Sequence, residues 1–442
     1  MSRTRLTATA LATALACSVV SGASPAVAER PPVTHDEQIA YHEWTTSTDW
    51  HAGTAHGAFA VPGGVTIGRP AGTTAFVDPH TGVTRSFEYA TWTSPVHRVG
   101  FGASELVASW NADTPAGTWI AVELHGTYTN GTQTPWYVMG RWASGDGDIK
   151  RASLDGQGDP FSSIWTDTFS IDNPAAGVLL ESYQLRLTLY RAPDQRATPR
   201  VWRLGAMASN IPDRLTVAPS AGHIAWGKEL AVPPYSQNIH VGQYPEFDGG
   251  GEAWCSPTST EMVTEYWGHR PSSADLAWVD PSYVDPQVDQ AARRTYDYEY
   301  QGTGNWPFNA AYAASYGGLD AIVTRLHSLD ELEAFIKAGI PVITSQSFLA
   351  SELDGANYST SGHIFVVVGF TAQGDVIVND PASSSDSVVR NVYKRQQFEQ
   401  VWLRSKRPRA DGTIVSAGSQ GIVYLIKPGW KPWPVVPGSN NW

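Results

Sequence analysis

The sequence predicts two folding units, an N-terminal all-β sandwich or jelly roll and a C-terminal α+β domain, joined by a loose connection. Three observations lead there. First, residues 35–208 consist of short runs in which apolar and polar residues alternate or nearly so, such as Thr118-Trp119-Ile120-Ala121-Val122-Glu123-Leu124 and Tyr183-Gln184-Leu185-Arg186-Leu187-Thr188-Leu189. Turn-forming clusters such as Thr129-Asn130-Gly131 punctuate them, and helical periodicity is largely missing. Many short strands with such turns make a sandwich or jelly roll. Second, residues 233–427 mix helical stripes with apolar strands. Third, 442 residues exceed what one hydrophobic core organises.

The N-terminus reads as an export signal. Arg3 and Arg5 precede a run from Leu6 to Val20 of apolar or small residues, and Ala26-Val27-Ala28 offers small residues at a cleavage point before Glu29. That order marks residues 1–28 as a secretory signal peptide. The run falls short of the roughly 20 apolar residues of a spanning helix, so a secreted, extracellular protein is expected. Loss of the segment removes two of the 30 basic residues and none of the 42 acidic ones, moving the formal charge from −12 to −14. Such a balance disfavours nucleic acid and anionic membrane surfaces as partners.

Between the units, residues 209–232 carry Pro212, Pro219 and Gly222 among scattered apolar side chains and read as a linker. A helix is expected after Cys255, with Met262, Val263, Tyr266 and Trp267 on one face. Another spans 329–338, begun by a capping box of Ser328 and Glu331, striped by Leu332, Phe335 and Ile336, and ended by Gly339. Strands are expected at 341–345, 363–370, 375–379 and 421–426. Residues 428–442, rich in Trp and Pro, read as an irregular tail.

Cysteine is the informative residue. There are two, and Cys17 lies within the predicted signal, which leaves Cys255 alone in the exported chain. No internal disulfide is then possible, and a lone thiol outside the cell is a candidate for chemistry; a buried packing cysteine is the plain alternative. Cys255 stands in Glu252-Ala253-Trp254-Cys255-Ser256-Pro257-Thr258-Ser259. Pro257 suits a first helical position and Ser256 a cap, which puts Cys255 at a helix N-terminus. Free amides and the helix dipole there favour the thiolate, the form a cysteine nucleophile needs.

A nucleophile needs a base, and the base needs a partner. His363 opens the apolar strand Ile364-Phe365-Val366-Val367-Val368-Gly369-Phe370, Gln373-Gly374 supplies a turn, and Asp375-Val376-Ile377-Val378-Asn379-Asp380-Pro381 returns. Antiparallel partners keep a constant index sum, and a turn near 371–374 predicts that His363 and Asp380 face each other. Asn379 should point to the opposite face. His240 reads as a polar-loop residue, His269 as a helix-end residue, and His327 as lying just before a cap. No pair of histidines has metal-ligand spacing and no glycine-rich phosphate motif appears, so no metal or other cofactor is expected.

These residues carry a resemblance. From Val232 to Ile426 the chain resembles the C39-like branch of papain-fold peptidases, as found in secreted actinobacterial proteins. The matching stretches are Val232-Pro233-Pro234-Tyr235-Ser236-Gln237, Cys255-Ser256-Pro257-Thr258-Ser259, Gly304-Asn305-Trp306-Pro307-Phe308-Asn309, Gly339-Ile340-Pro341-Val342, Gly362-His363 and Asn379-Asp380-Pro381. The resemblance implies an α+β papain-like cysteine peptidase domain in which Gln237 completes an oxyanion hole with the Cys255 backbone N–H. One departure is Ser256, where the family usually has Gly, and whose side chain can narrow the cleft. Transporter-fused relatives cleave leader peptides; this chain has neither their spans nor their nucleotide motif.

The expected function is that of a secreted cysteine peptidase acting on a protein or peptide substrate through Cys255, His363, Asp380 and Gln237. Alternatives are a peptidoglycan amidase or endopeptidase acting on cell-wall peptide, a cysteine acyltransferase in which an amine replaces water, and a glycan or cell-wall binding protein on an inactive peptidase fold. The first half holds nine tryptophans, Trp44, Trp50, Trp92, Trp110, Trp119, Trp136, Trp142, Trp165 and Trp202, which suit either a core or a carbohydrate contact.

Overall fold

The computed structural model describes residues 38–193 and 195–442. The predicted signal at 1–28, with Cys17, lies outside the described residues. Among them, no helix is long and apolar enough to cross a membrane.

The first half is largely β. One seven-stranded sheet runs in the order Ser162–Trp165, Thr168–Ile171, Glu105–Asp113, Arg200–Asn210, Gly64–Ile67, Ala58–Val61, with Gln38–Trp44 also paired to Arg200–Asn210. The other is ordered Tyr137–Trp142, Thr118–Tyr128, Leu180–Arg191, Thr84–Thr93, Thr54–His56, with Gly72–Val77 and His97–Ala103 as side branches. Alternation along Thr118–Tyr128 and Leu180–Arg191 sends Ile120, Val122, Leu124, Leu185, Leu187 and Leu189 into one core with Leu106, Trp110 and Leu204 of the first sheet. Of the nine tryptophans, Trp44, Trp50, Trp92, Trp110 and Trp142 are buried in this core, and Trp119 is buried on the other strand face against Phe87 and Ala121. His125 stacks on Trp136 and Arg186 lies over the same ring, whereas Trp165 is 67% exposed.

The second half is built on one antiparallel six-stranded sheet, ordered Leu319–Arg325, Ile422–Pro428, Val342–Phe348, Thr360–Phe370, Val376–Asn379, Arg390–Tyr393. Thr360–Phe370 lies inside it and is buried from His363 onward, which explains why its sequence is continuously apolar rather than alternating. The helix Cys255–Tyr266 packs on this sheet through Met262 and Val263. The helix Leu329–Lys337 is capped by Ser328, whose Oγ accepts from Glu331 N at 3.3 Å. The Glu331 carboxylate accepts from His327 N rather than from Ser328 N, so the expected capping box is only half formed. Helices Pro286–Thr295, Trp306–Ser315 and Arg395–Leu403 have no counterpart in the sequence reading. Two of them are short and Pro-led, and the alanines of Trp306–Ser315 leave no polar face to set a period.

The described residues of the two halves form one compact unit. Phe308 of the helix Trp306–Ser315 inserts between Trp110 and Trp142 of the β region, extending its core. Asn111 acts as a strand surrogate: its Nδ2 donates to Ala321 O at 2.7 Å and its Oδ1 accepts from Ala321 N at 3.1 Å. Asp146 receives Arg293 through two bonds of 2.8 and 3.0 Å, and Asp167 accepts from Trp306 N at 2.8 Å at the start of its helix. After Pro428 the tail has no regular structure but is not loose. Asn440 O accepts from Tyr41 N, Asn441 is fully buried, and Trp442 packs edge-on to Phe335.

Candidate active site

Cys255 is the first residue of its helix and is partly exposed. The helix begins earlier than the Ser-Pro signal suggests. Trp254 is the N-cap and Ser256 is already helical, so Pro257 sits in the first turn, where its missing N–H breaks no bond. Ser256 therefore does not cap. Its Oγ is buried and shares a 2.9 Å hydrogen bond with Tyr424 OH on the sheet, which turns it beneath the helix and away from any cleft at Cys255.

His363 and Asp380 meet. His363 Nε2 donates to Asp380 Oδ1 at 2.9 Å, both side chains being buried. Cys255 is near enough to the imidazole to act on its charge. Burial by itself would push the His363 pKa down; the Asp380 charge and hydrogen bond, with Cys255 assisting, lift it instead to about 10. Burial likewise opposes charge on Asp380, and His363, Tyr393 and the Ala382 N–H together hold its pKa below the usual range.

Asp380 is itself held rigidly. Oδ1 also accepts from Ala382 N at 3.0 Å, while Oδ2 accepts from Tyr358 OH at 3.0 Å and Tyr393 OH at 2.9 Å. Four donors occupy the carboxylate, so its position and charge are fixed before any substrate arrives. Asn379, one residue earlier, points elsewhere: its Nδ2 donates to Val232 O and Pro233 O, pinning the segment that leads to Gln237. The tyrosines have no sequence motif that would have revealed them. Gln346, directly opposite His363 in the ladder and fully buried, is another residue missed; it lies in the polar end of Val342–Phe348, just past the strand expected at 341–345.

Gln237 lies in a short 3-10 turn, Gln237–His240, buried and tied to the segment before Cys255. Its Nε2 donates to Glu252 O at 2.8 Å and its backbone N–H to Pro381 O at 2.8 Å, linking the Cys255 side to the Asp380 side. The approach is close because residue 251 is glycine: a Cβ there would fall 2.3 Å from Gln237 O. His240 is not in a polar loop as expected. It is fully buried, with Nδ1 3.3 Å from Asp289 Oδ2 and 3.0 Å from Gln243 Oε1. Further along the Cys255 helix, burial pushes the Glu261 carboxyl up to about 8, and its Oε2 accepts from Tyr312 OH at 2.9 Å. Among the described residues no cluster of three or more His, Cys, Asp or Glu could hold a metal ion.

This arrangement belongs to a recognisable class. Residues 229–409 match the family model described as Peptidase_C39 like family, and residues 40–209 match that described as Peptidase C39 N-terminal domain. The protein belongs to the C39-like peptidase family, with the C39 N-terminal domain in its first half and the peptidase-like domain in its second. A crystal structure from Bacillus anthracis, described as that of a C39-like peptidase, is similar at 18% identity and a TM-score of 0.27, covering 45% of this chain and 98% of that one. No curated protein matches the chain.

Proposed function

We propose that the protein is an exported cysteine peptidase that hydrolyses peptide bonds through Cys255, His363, Asp380 and Gln237. The reading rests on one observation above all: a partly exposed thiol at a helix start, near a histidine whose Nε2 is bonded to a buried carboxylate. A helix that carries the thiol, packed on an antiparallel sheet that carries the histidine and the carboxylate, supports a papain-like reading.

The chemistry follows from the geometry. His363 holds the thiol proton as imidazolium, stabilised by Asp380, and the Cys255 thiolate attacks the substrate carbonyl carbon. The C–N bond breaks as the imidazolium returns its proton to the departing amine, leaving a thioester. Neutral His363 then takes a proton from water; hydroxide adds to the thioester, the C–S bond breaks, and the thiolate is restored beside the imidazolium. Negative charge on the tetrahedral oxygen is met by the Cys255 backbone N–H at the helix start and by the Gln237 amide.

The test is to profile the purified protein on peptide libraries and on cell-wall fragments beside Cys255→Ala. Cleavage of peptides by the intact protein, abolished in Cys255→Ala, is the expected result; equal cleavage by both overturns the mechanism. Export would place a new N-terminus at or near Glu29 in protein recovered from culture supernatant, read by N-terminal sequencing. Retention of residues 1–28 in that protein would overturn the cleavage.

A further inference from the structure

Tyr300 has no part in the mechanism above, yet direct contacts tie it to the segment that carries the thiol. It is 50% exposed and sits in a tight loop whose base is closed by Asp297 and Gly302, Asp297 N donating to Gly302 O at 2.9 Å. The ring lies against the end of that loop. A Cβ on Gly302 would fall 2.4 Å from Tyr300 Cε1, and one on Gly304 would fall 3.9 Å from Cε1 and from the hydroxyl. Between these glycines, Thr303 Oγ1 donates to Ala253 O at 3.2 Å. Ala253 precedes Cys255 by two Cα steps of about 3.8 Å each. The partly exposed Cys255 is also near enough to act on the charge of Tyr300. A substrate carbonyl at the thiol therefore brings its neighbouring side chains toward the ring.

The β-rich half of the chain holds this loop in place. The Asp297 carboxylate is fully buried. Its Oδ1 accepts from Ser153 N at 3.0 Å, Glu299 N at 3.0 Å and Tyr300 N at 3.2 Å, and its Oδ2 accepts from Asn305 Nδ2 at 2.9 Å. Ser153 belongs to the first half, as does Arg151, whose carbonyl accepts from Tyr298 N at 3.0 Å. A wall ordered in advance loses little further freedom when a ligand touches it. Its chemistry is that of a neutral aromatic ring. Burial, then the charges of Asp248, Asp167 and Cys255, push the Tyr300 hydroxyl pKa up, so the group stays protonated. Those two carboxylates are taken up by other donors: Asp248 by Thr303 N and Oγ1, and Asp167 by Trp306 N and Thr168 Oγ1. The surface left open is the ring, which favours an apolar or aromatic partner.

We infer that Tyr300 is a specificity-determining wall beside Cys255, selecting an apolar or aromatic side chain of the substrate. The inference rests on the peptidase reading for its substrate, a peptide. Alkylation of Cys255 tests the wall without turnover, since the thiolate displaces iodide from a reagent whether or not any peptide is cleaved. Rates are measured with N-benzyl iodoacetamide and with iodoacetamide, and their ratio is referred to the same ratio for N-acetylcysteine. In the intact protein the ratio should exceed that of the free thiol roughly tenfold. Tyr300→Ala should return it to the free-thiol value, and Tyr300→Phe, which keeps the ring, should preserve it. No enhancement in the intact protein, or an enhancement that survives Tyr300→Ala, overturns the wall. On peptides cleaved next to an aromatic or aliphatic residue, Tyr300→Ala should raise KM more than it lowers kcat, with Tyr300→Phe restoring KM. Hydrolysis with KM unmoved in Tyr300→Ala overturns the role in specificity. An alkylation preference lost in Tyr300→Ala, with no peptide cleaved by the intact protein, overturns the peptidase reading and leaves the wall standing.

Discussion

His363 and Asp380 bond at 2.9 Å although they do not stand opposite one another in the sheet. The ladder pairs Val367 with Val378 and Val366 with Asn379, so one step further sets Asp380 level with Phe365. His363, two residues beyond on the same face, reaches the carboxylate diagonally. A bulge between Val367 and Gly369 shifts the register by one relative to the hairpin end, where Phe370 pairs with Val376. Without this one-residue shift the imidazole and carboxylate would lie on opposite faces.

The contributions of the four residues should separate in turnover measurements. Cys255→Ala and His363→Ala should each abolish nearly all peptide hydrolysis, and Asp380→Ala should leave a measurable remainder, because Asp380 orients and does not attack. Losses within the unit should be strongly non-additive. Gln237→Ala should lower kcat by on the order of 10²-fold, with circular dichroism confirming that each variant is folded. Wild-type rates in His363→Ala would remove it from the mechanism.

The same pair sets a pH dependence whose sign is fixed. His363, lifted to about 10 when folded, stabilises the fold fully below its ordinary value of about 6.5 and loses that contribution as pH rises toward 10. Asp380, held low, contributes above its ordinary value of about 4 and loses its contribution as pH falls below that. The pair is therefore worth most between about pH 4 and 6.5. Asp380→Asn deletes the largest influence that raises it, so His363 should then titrate well below about 10. Histidine NMR titration of both proteins reads this directly; an unchanged His363 titration would show that Asp380 is not its partner in solution.

Ser256→Gly should lower stability and spare catalysis. The variant loses the Tyr424 hydrogen bond and places glycine in a helix, costs of about 1 kcal/mol each. Because the Ser256 side chain is turned under the helix, kcat/KM should stay within about threefold of wild type. That ratio is an estimate of no direct transition-state contact. A large gain in activity would mean that Ser256 does obstruct the cleft.

Glu261 gives the opposite pH sign to Asp380. The folded chain keeps its proton up to about 8 while the unfolded chain releases it near 4.5, so the unfolded state binds fewer protons across that window and stability falls as pH rises. Glu261→Gln should abolish that decline and, relative to wild type, gain on the order of 2 kcal/mol between pH 6 and pH 9 in urea unfolding. A parallel pH profile in the two proteins would contradict the neutral buried carboxyl.

Local sequence pattern was enough for the change from alternating strands to a mixed second half, for Cys255 at a helix start, and for the hairpin that carries His363 and Asp380. Each depends on neighbours within about 20 residues, where periodicity, turn residues and strand pairing act directly. It misplaced the first turn of the Cys255 helix because a serine before proline serves equally well as a cap or as a buried donor, and only Tyr424, 168 residues away, decides between them. Tertiary structure alone supplied Tyr358 and Tyr393 on Asp380, the Gln237 link to Glu252, and the burial of His240 against Asp289. It also drew Phe308 into the core of the β region and laid the C-terminal tail along Tyr41. These contacts join segments distant in sequence, and their partners are selected by packing and by the need to satisfy buried polar groups, neither of which leaves a local pattern.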